Sequence, residues 1–185
     1  EELGLANTAS KLRGESGTKV LVEITSESGE IKEVDLERRS VDLRPVRTKR
    51  LRNDYHTLGY LRITQFSESV PKKFEEALQE LKEKEVEGLI LDLRNNSGGL
   101  VSSGIAVADS LLSEKPVVET KNRNGIKDAI ISQKDSSYDG PMVTLVNKGT
   151  ASASEILAGS LQDNDRSILM GEQTSGKGLI QSLKS

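Results

Sequence analysis

The sequence predicts an α/β fold with a mostly parallel sheet, and three observations support this prediction. From Tyr60 onward, apolar residues recur alternately at the spacing of strands and at the spacing of helices. Turns rich in glycine, asparagine and serine separate these segments. The chain of 185 residues is long enough for an ordinary core and contains no cysteine, so disulfides are excluded. Strands that alternate with helices are typical of βαβ units.

The N-terminal part predicts a short helix and a β-hairpin. Apolar residues at helical spacing indicate a helix over residues 5–13. Runs of β-branched and aliphatic residues indicate strands over residues 19–25 and 31–36, on either side of the turn signal Ser28-Gly29. The basic segment that follows contains a proline, and residues 46–58 are expected to connect this part to the next unit.

The remaining segments alternate in type along the chain. Six apolar or β-branched runs predict strands, at residues 60–66, 89–93, 116–120, 126–132, 142–146 and 167–170. Three segments predict helices, from Pro71 to a stop at Gly88, over residues 101–112 and over residues 152–162. A further extended element is expected to start at residues 179–183.

Three loops are expected to meet at one edge of the sheet. Residues 95–99, 147–151 and 171–178 each follow a predicted strand. In a parallel sheet the carboxyl ends of the strands share an edge, and ligand sites collect in the crevice there. The sequence therefore predicts a functional site built from these three loops.

Ser152 is the candidate nucleophile, in the sequence Thr-Ala-Ser-Ala-Ser-Glu at the start of a predicted helix. Ser152 and Glu155 also fit a capping box, so a purely structural helix cap is the alternative. Main-chain N–H groups at a helix start can receive a developing oxyanion. Ala153 would supply one such N–H, and Gly98 could bring a second because glycine permits close approach of the main chain. The alternative for Gly98 is a plain turn glycine.

Lys177, in the sequence Ser-Gly-Lys-Gly, is the candidate base. The single histidine, His56, lies in the expected connecting segment, where no serine or carboxylate motif surrounds it. A serine hydrolase in this chain would therefore need lysine as its base. Lysine accepts a proton only when neutral, and both an apolar pocket and the positive end of the Ser152 helix would favour that form. The alternative is an ordinary solvated lysine.

A nucleotide-binding loop is a second possible interpretation of the same segment. Residues 171–177 match the phosphate-binding pattern up to its last position. Gly178 then stands where serine or threonine would hold magnesium, and the following run looks extended rather than helical. A nucleotide-binding α/β domain is therefore kept only as an alternative.

Several ordered blocks resemble the carboxy-terminal processing peptidases, also called tail-specific proteases, which are serine endopeptidases with a Ser-Lys active site. The similar blocks are residues 60–66, 91–100, 146–156 and 171–181. Residues 11–20 look like the end of the PDZ domain that such proteases carry. Two residues depart from the family pattern: Thr150 stands where serine is frequent, and Ser175 where phenylalanine is frequent.

The resemblance implies both a domain arrangement and a set of site residues. Residues 1–45 would be the C-terminal part of a PDZ domain, and residues 59–185 a crotonase-like protease core truncated at its C-terminal end. The implied site residues are the nucleophile Ser152, the base Lys177, the lysine-orienting Gln181, and the oxyanion-hole amides of Gly98 and Ala153.

Charge and composition limit the classes of partner that the chain is expected to bind. With 26 basic and 29 acidic residues, the net charge of −3 disfavours a general nucleic-acid or anionic-membrane surface, and the apolar runs are too short for an integral membrane segment. No metal or organic cofactor is implied. The resemblance implies protein or peptide substrates with apolar C-terminal tails, in a periplasm, cell envelope or thylakoid lumen. A non-catalytic module that binds a peptide tail along an open strand is the remaining alternative.

Overall fold

The computed structural model describes residues 11–26, 28–39, 44–121, 125, 127–133 and 135–177. The chain divides into two compact units, Glu1–Leu43 and Arg44–Ser185. Most of the helix predicted over residues 5–13 lies outside the described residues, as does the whole of the element predicted at residues 179–183.

The first unit contains the predicted hairpin. Strands β1 (Lys19–Thr25) and β2 (Ile31–Glu37) pair antiparallel along their full length. The turn between them closes through a hydrogen bond from the Ser26 N–H to the Glu30 carbonyl oxygen (2.9 Å). Gly29 in this turn has φ +82°, a conformation that glycine adopts without steric cost.

The second unit contains a mixed sheet and three helices among its described residues. Its strands are β3 (Val46–Arg52), β4 (Thr57–Ile63), β5 (Gly88–Asp92), β6 (Pro116–Lys121), β7 (Lys127–Ile131), β8 (Met142–Val146) and β9 (Ile168–Gly171). Its helices are α1 (Val70–Glu83), α2 (Val101–Asp109) and α3 (Ala153–Asp163). Five strands form one sheet in the order β3-β4-β5-β8-β9, while β6 and β7 form a separate antiparallel pair.

The sheet is parallel except at one edge. Strands β4, β5, β8 and β9 run parallel, and β3 pairs antiparallel with β4. The α/β fold with a mostly parallel sheet is therefore confirmed. None of the described helices is long and apolar enough to cross a membrane.

The core lies between this sheet and the helices. Leu61 and Leu91, on neighbouring strands, are fully buried and belong to the same core as Phe74 and Leu78 of α1. Pro71 lies in the first turn of α1. A main-chain N–H at this position has no partner within the helix, so proline, which lacks the N–H, removes no helical hydrogen bond. The period of apolar residues that predicted α1 thus corresponds to its buried face.

The expectation of a plain connection over residues 46–58 was wrong, because β3 occupies its first half and β4 begins at Thr57. The structure pairs Val46 with Ile63 and Arg52 with Thr57. Most residues of β3 are charged and exposed, since β3 is an edge strand. Charged side chains are common on such edges and conceal the alternation that identifies a strand.

Candidate active site

The three loops predicted to meet do lie together at the carboxyl ends of the strands. The Asn95 N–H donates to Asn147 Oδ1 (2.9 Å), and Asn147 Nδ2 donates to Asn95 Oδ1 (3.0 Å). The Ser175 N–H donates to the Thr150 carbonyl oxygen (3.0 Å). Residues far apart in sequence are thereby fixed around the start of α3.

Ser152 is the residue that immediately precedes α3. It is half-buried, with φ +57° and ψ −120°. A positive φ is rare for a residue with a side chain and costs on the order of 1–3 kcal/mol, a strain that is concentrated at functional sites. The residue is thus held in an uncommon backbone conformation at the positive end of a helix.

Gly98 and Ala153 lie where the sequence analysis expected them, beside Ser152. Ala153 is buried at the first position of α3. A Cβ atom on Gly98 would lie 2.8 Å from the Cβ of Ser152 and 3.1 Å from the main-chain nitrogen of Ala153. Gly98 also has φ +100°, so both space and conformation require glycine. The Gly98 N–H donates to Asn96 Oδ1 (2.9 Å).

Glu155 joins the start of α3 to the loop that carries Lys177. Its Oε2 accepts hydrogen bonds from the N–H of Ser152 (2.8 Å) and the N–H of Lys177 (3.0 Å). Its Oε1 accepts from the N–H of Gly176 (2.6 Å) and the hydroxyl of Thr174 (2.8 Å). One carboxylate therefore holds both main-chain segments that carry the predicted catalytic pair.

These bonds set the charge of Glu155. Burial raises the pKa of its carboxyl group, but the hydrogen bonds from Thr174, Gly176, Ser152 and Lys177 outweigh burial and lower the pKa overall. The carboxylate is consequently ionised at neutral pH. In the sequence, Glu155 is recognisable only as part of a capping box, because its contact with residues 174–177 is long-range.

Lys177 is exposed in this structure, and the apolar pocket expected around it stays a prediction, because the residues that follow it lie outside the described part of the chain. The loop is attached through its main-chain N–H groups and the Thr174 hydroxyl. Ser175, where the family pattern often has phenylalanine, adds no apolar surface. Gln181 lies outside the described residues.

A buried carboxylate, that of Asp92, lies at the end of β5, close to the loop of residues 95–99. Asp92 is fully buried; its Oδ1 accepts from Arg94 Nε (2.9 Å), and its Oδ2 from the Tyr60 hydroxyl (2.5 Å). Burial raises the pKa of Asp92, but hydrogen bonds from Arg94 and Tyr60 lower it overall to about 2. This cluster was not predicted from the sequence, although an acidic residue inside an apolar strand was a visible signal.

A cavity of about 410 Å³ begins at Glu155 and runs along α3. Ile156 and Gly159 form one wall and Val118 of β6 part of the other. The cavity therefore provides room for a ligand group one helical turn from Ser152.

The described part of the chain contains no group of three or more histidine, aspartate or glutamate side chains that could hold a metal ion. His56 instead faces Glu87 at the surface, with Nδ1 2.8 Å from Oε2.

This fold and site define a class: an α/β protein with a serine at a helix start and a lysine-bearing loop fixed beside it. The family model of peptidase family S41 matches residues 57–185, more than half of the chain. The chain belongs to peptidase family S41, a family of serine-type peptidases.

Named relatives agree with this membership. The carboxyl-terminal-processing protease of Synechocystis is 46% identical over 99% of this chain and 43% of its own length. The chloroplastic carboxyl-terminal-processing peptidase 3 of Arabidopsis thaliana is 41% identical over 95% of this chain and 36% of its own. The solved photosystem II D1 C-terminal processing protease superposes with a TM-score of 0.76 at 35% identity, covering 97% of this chain and 50% of that one. The chain thus spans half or less of the length of these relatives.

Proposed function

We propose that the protein is a serine endopeptidase that cleaves protein substrates near their C termini. Ser152 is the nucleophile and Lys177 the general base. Membership in peptidase family S41 supports the reaction class, and relatives named for carboxyl-terminal processing support the cleavage position.

One observation supports the Ser152–Lys177 pair most strongly. The main-chain nitrogens of both residues donate to the same oxygen of Glu155, at 2.8 Å and 3.0 Å. The two nitrogens can be separated by no more than the sum of those distances. A lysine side chain that starts this close can reach the Ser152 hydroxyl once it turns from solvent towards the helix.

The reaction proceeds through an acyl-enzyme. The Ser152 hydroxyl oxygen attacks the scissile carbonyl carbon while the neutral Lys177 amine takes the hydroxyl proton. Lys177 then gives this proton to the leaving amine, and the peptide bond breaks. Water attacks the resulting ester with Lys177 again acting as base, which releases the new C terminus and restores Ser152.

Main-chain N–H groups stabilise the tetrahedral intermediate. Ala153 donates from the first position of α3, and Gly98 provides the second donor from the loop after β5. Main-chain donors that reach the position where negative charge develops stabilise the oxyanion more strongly than the substrate carbonyl. Gln181 orients the Lys177 amine, as the family resemblance implies.

Residues 1–45 form the C-terminal part of a PDZ domain, which fits the helix-and-hairpin pattern of this region. Residues 59–185 form a crotonase-like protease core. The substrates carry apolar C-terminal tails, and the protein works outside the cytoplasm, in a compartment such as a periplasm or thylakoid lumen. Chloroplastic and cyanobacterial relatives support this location.

The geometry of the Lys177 loop argues against nucleotide binding. A phosphate-binding loop directs its main-chain N–H groups at phosphate oxygens. Here the N–H groups of Gly176 and Lys177 donate to the carboxylate of Glu155. A phosphate group could bind these N–H groups only by displacing the negatively charged carboxylate of Glu155.

Cleavage of a fluorogenic peptide by the full-length protein tests the proposal. Ser152→Ala and Lys177→Ala should each abolish turnover, and mass spectrometry of a protein substrate should show cuts near its C terminus. Ser113→Ala and Lys148→Ala, at exposed positions of the same residue types, should retain full activity. A peptide-binding module would bind the peptide without turnover, and full turnover in Lys177→Ala would remove lysine from the mechanism.

A further inference from the structure

Asn96 connects the loop after β5 to its surroundings through both its side chain and its main chain. The residue is fully buried, and its Nδ2 donates to the carbonyl oxygen of Ile63 at the end of β4 (3.0 Å). Its own carbonyl oxygen accepts from the Ala151 N–H (3.0 Å) and the Ser154 hydroxyl (3.0 Å). Asn96 therefore ties β4 to the turn that carries Ser152.

The side-chain oxygen of Asn96 accepts a hydrogen bond from Gly98, the proposed oxyanion-hole donor. Asn96 Oδ1 accepts the N–H of Gly98 at 2.9 Å. Gly98 is buried, and a buried N–H without a hydrogen-bond partner is destabilising. The bond satisfies this N–H when no substrate is present. It also means that the N–H is already occupied in this arrangement.

The peptide between Ser97 and Gly98 is held less firmly than the chain on either side of it. Ser97 is exposed and makes no hydrogen bond with any other residue of the described part. Beyond it, the Gly98 carbonyl oxygen accepts from the Phe66 N–H (2.9 Å), and the Leu100 N–H donates to the Phe66 carbonyl oxygen (3.0 Å). The peptide can therefore rotate between two fixed points, and the wide conformational range of glycine allows it.

We propose that Asn96 is a positioning residue of the oxyanion hole: its side-chain oxygen holds the Gly98 N–H in the substrate-free site and yields it to the oxyanion of the tetrahedral intermediate. This inference rests on the proposed function. A hydrogen bond to an ionised oxygen is roughly twice as strong as one to a neutral amide, so the exchange favours the intermediate over the free site. The gain arises only when negative charge develops, as transition-state stabilisation requires.

A crystal structure of the full-length protein after reaction with diisopropyl fluorophosphate tests the exchange. The Ser152 oxygen bonds to phosphorus and fluoride leaves, which places a phosphoryl oxygen where the oxyanion would be. The expected result is a hydrogen bond from the Gly98 N–H to this oxygen and none to Asn96 Oδ1. An adduct that keeps the bond to Asn96 overturns the inference alone, whereas failure to form any adduct overturns the proposed function as well.

Kinetics of Asn96→Asp provide a second test. The carboxylate keeps the shape of the side chain but binds the Gly98 N–H more strongly and loses the donor to Ile63. We expect kcat to fall by about tenfold to a hundredfold with little change in KM. Ser103→Ala is the matched control, since it also removes one hydrogen bond to a main-chain carbonyl oxygen, that of Ser67 (2.9 Å).

The control separates positioning from stability. Ser103→Ala should lower the melting temperature and leave kcat unchanged. A wild-type kcat in folded Asn96→Asp would overturn the inference. A decrease in activity no greater than the decrease in the fraction of folded protein would overturn it as well. The adduct structure of the wild-type protein decides the question if Asn96→Asp does not fold.

Discussion

Glu155 is the residue on which the geometry of the site depends, because its carboxylate accepts one hydrogen bond from Ser152 and three from residues 174–177. Glu155→Gln keeps the shape but turns an NH2 group towards two of these donors. Hydrogen bonds to charged groups contribute about 1.5–3 kcal/mol, so kcat/KM should fall by roughly tenfold to a hundredfold. Glu172→Gln, exposed in the same loop, is the control and should match the wild type in the same peptide assay.

The pH dependence of this contact follows from the sign of the pKa change. Hydrogen bonding lowers the pKa of Glu155 below its ordinary value of 4.5. Its contribution to stability is therefore complete at neutral pH and is lost as the pH falls below that value. Equal kcat/KM in Glu155→Gln and the wild type at pH 7 would contradict the assigned role.

Asp92 makes a separate prediction about stability. Its pKa is lowered from 3.8 to about 2, which corresponds to about 2 kcal/mol of folding free energy at neutral pH. The wild type should lose this contribution as the pH falls from about 4 towards 2. In urea titrations, Asp92→Asn should be less stable at pH 7, and the difference should shrink in acid. A difference that persists unchanged at pH 2 would show that ionisation of Asp92 is not its source.

At the scale of elements, the contact between α2 and α3 determines the position of Ala153. A Cβ atom on Gly104 of α2 would lie only 2.9 Å from the Ala153 carbonyl oxygen. Gly104→Ala should therefore destabilise the protein by about 1–3 kcal/mol, despite the better helix propensity of alanine.

Gly159→Ala is the matched variant for this contact. Gly159 also lies within a helix, but a Cβ atom there would contact only the main chain of its own helix and its chain neighbours. This substitution should stabilise the protein by up to about 1 kcal/mol. Urea unfolding of both variants measures the contrast, and equal effects would show that the helices do not interlock at Gly104.

The elements also show what the sequence could predict. The apolar period of α1 and the buried run of β5 are local signals: β5 was predicted close to its observed bounds, and α1 begins where predicted but ends at Glu83, before the predicted stop at Gly88. The alternation of strands and helices was enough to place three loops at one edge. Strand β3 was missed because its pairing with β4, rather than its own composition, makes it a strand.

The site was predictable to the extent that its signals were local. Ser152, Ala153 and Gly98 are close together, as motif positions and strand order implied. The bond from Lys177 to Glu155 and the bond from Asn96 to Ile63 each join residues more than 20 positions apart in sequence. The solvent exposure of Lys177 likewise follows from how its loop is attached, which no motif specifies.

At the scale of the whole molecule, the two units differ in how they are stabilised. Every buried hydrophobic residue of the described core lies between Leu61 and Leu161. The β1–β2 hairpin instead exposes Leu21, Ile31 and other apolar side chains. A two-stranded hairpin without a core is marginally stable in water.

Hydrogen exchange should resolve this difference in the 185-residue chain. Amides of β1 and β2 should exchange through local opening, whereas those of β5 and β8 should exchange only through global unfolding. Mass-spectrometric exchange of peptic fragments measures both sets in one experiment. Equal protection of the hairpin and the central strands would contradict the assignment of the core to the second unit.

Labelling with a fluorophosphonate probe tests the central claim, the Ser152–Lys177 pair, most directly. Mass spectrometry of the labelled full-length protein should find the phosphonate on Ser152, with labelling lost in Lys177→Ala and retained in Lys148→Ala. A label on another serine, or undiminished labelling of Ser152 in Lys177→Ala, would contradict the account.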